Sequence, residues 1–67
     1  MRVKLKRFGE AIREYRRVSG ESLRDVARRQ RLSHATISRA ELGKPVNVET
    51  FLVLAKMLDI DPRLYLR

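Results

Sequence analysis

A chain of 67 residues without cysteine makes one small domain with a thin core, stapled by neither disulfide nor thiolate metal cluster. Sixteen Lys and Arg against eight Asp and Glu leave a net charge of +8, which favours nucleic acid or an anionic membrane surface as partner over a merely soluble basic protein. With one histidine, no glycine-rich phosphate loop and too little chain to shape a ligand pocket of the usual ~300 Å3 or more, no enzyme, metal or cofactor is expected.

The chain opens on a basic stretch, residues 1–7, with no apolar core of the kind a secretory signal needs. Val3 and Leu5 share one side of a period-two alternation, so this stretch reads as an edge strand or a loose arm. From Phe8 the apolar positions Phe8, Ala11, Ile12 and Tyr15 follow the spacing of one helical face, and Gly20 ends that helix. Ser22 and Asp25 form a capping box for a second helix with Leu23, Val26, Ala27 and Gln30 inward. A third helix begins after Ser33, carries Ile37 and Ala40 inward and stops before Gly43. Asn47 caps a fourth, whose Phe51, Leu52, Leu54, Ala55 and Leu58 are the most apolar stretch. Asp61 and Pro62 open a short fifth helix. The class is all-α, with the helical domain spanning 8–67. The longest apolar run, residues 51–55, falls far short of the ~20 that cross a membrane, so a cytoplasmic protein is expected.

Function is most legible between Leu23 and Ala40. Two helices of similar length are separated by about three residues, Ala27 is small where the second crosses the first, and Leu32 and Ile37 point back to one spot. Such a unit holds its second helix rigid and proud of the surface, as groove reading requires.

These residues, with Gly20, the Leu32-Ser33 turn, the run Thr36-Ile37-Ser38-Arg39, then Glu41, Gly43-Lys44 and the helix from Glu49 to Leu58, resemble the Cro and phage-repressor type of helix-turn-helix regulators. The resemblance runs from about Phe8 to Leu66. It implies five helices, of which the second and third read DNA. The chain departs from the family at Leu23, where glutamine commonly helps hold a phosphate, and at Gln30, where leucine is frequent. It departs again at Arg31, where glycine is frequent, so either Arg31 takes a positive φ at some cost or the turn differs.

With the helix 33–41 in the major groove, His34, Ala35, Ser38 and Arg39 face the bases. Arg39 is the foremost, because a guanidinium can bond both O6 and N7 of guanine, against the plainer reading of a surface ion pair. Ala35 offers only a methyl contact to thymine. His34 can read guanine, touch phosphate, or simply be solvated. Ser33 and Thr36 are phosphate or capping groups, with capping the better account of Ser33. Arg24, Lys44 and the arm residues Arg2, Lys4, Lys6 and Arg7 are phosphate ligands, whereas Arg28 reads as solvated. The family commonly pairs an arginine at the position of Arg16 with a glutamate at that of Glu41, which implies a structural tie.

The partner expected is double-stranded DNA, as a palindromic operator bound by a homodimer. Apolar surface at Leu64, Tyr65 and Leu66, or an edge strand at Val3 and Leu5, would supply the interface. A membrane-surface role fits the charge but not the layout, since Gly20 and Gly43 interrupt any continuous two-faced helix. Only four aromatics occur, so no stacking platform for RNA is visible. An antitoxin or controller-type autoregulator of the same fold, or a protein-interaction module that reads no DNA, are the alternatives. With no sensor domain after the helices, no small-molecule ligand is expected.

Overall fold

The computed structural model describes residues 4–65, in four α-helices and a closing single turn of 3-10 helix. They are α1 (Leu5–Ser19), α2 (Leu23–Gln30), α3 (His34–Glu41) and α4 (Val48–Met57), with the 3-10 turn at Pro62–Tyr65.

Helix boundaries follow local chemistry. Gly20 closes α1 at φ 74°, its amide bonded to the Arg16 carbonyl at 2.8 Å. Ser22 Oγ accepts from the Asp25 amide while the Ser22 amide donates to Asp25 Oδ2, both at 3.1 Å, closing the capping box of α2. Ser33 and Asn47 cap α3 and α4 through the amides of Thr36 and Thr50. At the end of α2, Arg31 takes the left-handed conformation at φ 58°, so of the two alternatives for that turn the strained one holds. Leu32, bonded through its amide to Ala27 at 2.9 Å, then turns into the core.

Three expectations change. Helix α1 starts at Leu5, three residues before Phe8, because Leu5 extends the stripe of Phe8 and Ile12 and is itself half-buried. Any arm therefore reaches no further than Lys4, and Lys6 and Arg7 stand on the first turn of α1. No strand occurs among the described residues. The fifth helix is a single 3-10 turn rather than an α-helix. Asp61 captures the Arg63 amide with its carboxylate and the Leu64 amide with its carbonyl, which tightens the chain to i→i+3 spacing. Its last carbonyl, on Tyr65, accepts from the Lys4 amide and ties the two ends together. Arg2, Val3 and Leu66 lie outside the described residues.

The core is Phe8 and Ile12 from α1, Val26 and Ala27 from α2, Ile37 and Ala40 from α3, and Phe51, Leu54 and Ala55 from α4. Phe8 is its hub. Its ring lies 4.8 Å from Phe51 and 5.5 Å, edge-on, from Tyr65, so the 3-10 turn closes the bottom of the core. Each of the large side chains among them, Phe8, Ile12, Val26, Ile37, Phe51 and Leu54, contributes roughly 1.5–3 kcal/mol, and a domain this small has few of them. Leu52, expected inward, is 49% exposed together with Val48, one turn before it on α4.

Candidate nucleic-acid interface

Helix α3 is divided by its own periodicity. Ile37 and Ala40 are buried against α1 and α2, while His34, Ala35 and Arg39 are exposed on the opposite side. Ser38 and Thr36 lie at the border, half-buried. Thr36 Oγ1 is 2.6 Å from Ser33 Oγ, and Ser33 Oγ also accepts the Thr36 amide, so both hydroxyls are engaged in the N-terminal cap. The other side of Thr36, with Arg39, Pro45, Val46, Asn47 and Thr50, lines an open groove of about 250 Å3 between α3 and the start of α4. Beyond α3, the amides of Gly43 and Lys44 return to the carbonyls of Ala40 and Arg39, which leaves the Lys44 side chain exposed where the chain departs from the helix.

Charge is distributed unevenly over this frame. The acidic residues engage cations chiefly away from the outer side of α3. Glu41, with only 5% of its side chain exposed, is gripped by Arg16 through two parallel bonds, Nε to Oε2 and Nη2 to Oε1 (3.0 Å). Arg13 stands at 3.8 Å from the same carboxylate. This fork raises the pKa of Arg16 still further, chiefly through its hydrogen bonds to Glu41. Arg29 bonds Glu21 at 3.0 Å and the Tyr15 hydroxyl at 2.8 Å, lying over that ring as well. Arg17 pairs with Glu14, and Arg63 with Asp61.

The remaining cations have no acidic partner within 4 Å among the described residues, and they include Lys4, Lys6, Arg7, Arg24, Arg39 and Lys44. The plainer reading of Arg39 as half of a surface ion pair thus finds no partner. Exposed, unpaired cations cost little in water and become strongly attractive beside a polyanion. Arg28 and Arg31, on α2 and its cap, are exposed too and likewise have no acidic partner within 4 Å among the described residues.

Two features of the frame were not anticipated from the sequence. The Arg29–Tyr15–Glu21 cluster joins α1 to α2, and its members are too far apart in the chain for spacing to suggest it. Gly9, buried in the middle of α1, lies against the last carbonyls of α3. Its signal was available, since an isolated glycine inside an apolar helical pattern usually has a packing reason.

A capped helix, a tight turn and a second capped helix with one buried and one solvent-facing side are the parts of a helix-turn-helix unit, set here in an all-helical domain. The chain belongs to the helix-turn-helix domain family, whose pattern matches residues 7–65. Among solved structures it is similar to the restriction-modification controller protein C.AhdI from Aeromonas hydrophila, at 34% identity over 90% of this chain and 88% of that one, with a TM-score of 0.71. No curated protein matches the chain. Among the described residues no helix is long and apolar enough to cross a membrane.

Proposed function

We propose that this protein is a sequence-specific regulator of transcription that binds double-stranded DNA in the cytoplasm, inserts α3 into the major groove and acts as a repressor of the Cro and phage-repressor kind. The observation that carries this reading is the outer side of α3, where Arg39 stands exposed with no acidic partner within 4 Å among the described residues. In it, His34, Ala35, Ser38 and Arg39 contact base edges, with Arg39 bonding the O6 and N7 of a guanine. Arg24, Lys44, Lys4, Lys6 and Arg7, with Arg2 before them, neutralise phosphates. Ser33 and Thr36 add neutral hydroxyls at the phosphate level beyond their capping role. Two copies bind a palindromic operator.

A narrower second reading, a controller-type regulator that acts on its own promoter, is favoured by the likeness to C.AhdI across nearly all of both chains. Selection of bound sequences from random duplex DNA at physiological salt tests both. The expected yield is a palindromic site, and for the controller reading a match upstream of the protein's own gene. Affinity for that site should fall by ~0.9 log units per log unit of salt for each phosphate neutralised, with at least three per subunit. A slope near zero, or a pool no different from the input, would sink the proposal.

A further inference from the structure

We propose that Gly9 is a positioning residue for base readout: its missing Cβ lets α1 lie directly on the last turn of α3 and so fixes how that helix stands out of the domain. The inference rests on α3 being the reading helix. Glycine is among the least favourable residues for a helix interior, yet Gly9 sits buried in the middle of α1. A Cβ built there would stand 2.5 Å from the Ala40 carbonyl oxygen and 2.7 Å from that of Glu41. Both obstacles are backbone, so no side-chain rotation relieves them. One helix must move.

The direction of that movement follows from how α3 is held. Its N-terminal end is tied to α2 through Leu32, whose amide bonds the Ala27 carbonyl and whose side chain packs on the core. Its C-terminal end is fixed by α1, through the contact at Gly9 and the Arg16 fork on Glu41. A further close approach lies beside them, since a Cβ on Gly43 would come within 3.2 Å of the Lys6 Cα. Pressure at Gly9 therefore lifts the C-terminal end of α3 while its N-terminal end stays anchored. Arg39, next to Ala40, is displaced more than His34. Functional groups have to be held to within about 0.5 Å of their productive geometry, so a shift of that order separates the two readers.

The experiment compares wild type, Gly9→Ala and Gly20→Ala on a panel of single-base variants of the selected operator, after circular dichroism has shown each protein folded. Gly20 is the control. A Cβ there meets nothing within 4 Å but is strained by φ 74°, so it lowers the melting temperature without pressing on α3. The bases read by Arg39 and by His34 are first located with Arg39→Ala and His34→Ala. Gly9→Ala should reduce discrimination at the Arg39 base about tenfold, within the range of one bidentate contact, and at the His34 base far less. Gly20→Ala should keep the wild-type profile.

If Gly9→Ala weakens every duplex by one common factor, or binds as wild type does, the inference is overturned. If it does not fold, Arg16→Lys decides, since it keeps a charge beside Glu41 but loses the parallel fork that holds the same end of α3. It should show the same bias in smaller degree, and a wild-type profile there overturns the inference equally. A wild-type protein without sequence preference overturns the proposed function and this inference together. A discriminating wild type whose variants discriminate alike overturns the inference alone.

Discussion

At the scale of single residues, reading a base and gripping a phosphate make different demands, and the proposed function divides them between Arg39 and Lys44. Arg39 projects from the outer side of α3, while Lys44 lies past Gly43, where the chain leaves that helix. Arg39→Ala should cost ~1–3 kcal/mol on the preferred operator and relax the preference mainly at one guanine. Lys44→Ala should weaken all sequences alike and reduce the salt slope by about one. Both are measured against single-base operator variants at two salt concentrations. A uniform loss for Arg39→Ala would make it a backbone contact and leave readout to His34, Ala35 and Ser38. Asp25 supplies a second residue-scale expectation. Hydrogen bonds from the Ser22 amide and side chain hold its pKa below the usual aspartate value. Because the folded-state pKa is the lower one, its contribution is complete above the unfolded value. It is lost as the pH falls below roughly 4 and on through the folded value. Asp25→Asn should flatten that part of the melting-temperature profile, and an acid limb as steep as wild type would show that the box does not respond to protonation. The outer face of α3 and the caps were legible in the sequence because each depends on neighbours within one helical turn. That Arg39 has no acidic partner within 4 Å among the described residues was not, since it depends on where every acid in the fold ends up.

Between elements, legibility falls off with distance along the chain. The starts of α2, α3 and α4 were readable from Ser22, Ser33 and Asn47, each bonding an amide three residues on. The start of α1 was not, because Val3 and Leu5 alternate like a strand, while Leu5 also continues the helical spacing of Phe8 and Ile12, and local pattern alone does not choose between the two. The closing 3-10 turn likewise depends on Asp61 bonding its own following amides and on Tyr65 reaching the Phe8 ring. The Arg16–Glu41 tie, 25 residues apart, follows from no local pattern and came only through family resemblance. It joins α1 to the end of α3, and its energetic weight is set by burial. Arg16→Ala would leave a carboxylate only 5% exposed with Arg13, at 3.8 Å, as its remaining counter-ion. Uncompensated buried charge is costly, so the loss should be about 2–3 kcal/mol, reduced by Arg13 from the full value for an abandoned partner. For a domain of this size that lowers the melting temperature by on the order of 10 °C. An unchanged melting curve would mean that solvent or Arg13 replaces Arg16 without cost.

Considered whole, the domain is too short to read an operator symmetrically on its own. It measures 30 × 21 × 18 Å and on the proposed function would present one helix, α3, to the groove, whereas successive major-groove faces of B-DNA recur every ~34 Å. If the operator is palindromic, as proposed, a second helix one turn along the duplex would have to come from a second copy. Of the two apolar surfaces the sequence offered for that contact, the edge strand is removed by the helical start of α1, and Tyr65 is spent on the Phe8 ring. Leu64 remains, 65% exposed, and the fold adds Val48 and Leu52 on α4, exposed by 61% and 49%. With Val18 and Leu42, these make five large aliphatic side chains exposed among the described residues, and covering Val48, Leu52 and Leu64 in a pair would offset the mutual repulsion of two bodies of charge +8 only partly. On the proposed function, neutralisation of that charge by phosphate would supply the rest, so the pair should form most firmly on DNA. Sedimentation of saturated full operator should then show two subunits per duplex, and Leu52→Lys or Leu64→Lys should shift binding towards one. Geometry gives the stricter check. Inserting five base pairs between half-sites turns them to opposite faces of the helix, and affinity should fall at least tenfold, whereas inserting a full turn of ten should restore much less of it than the native spacing. One subunit at saturation, or indifference to the five-pair insertion, would make the protein a monomeric reader whose exposed leucines serve something else.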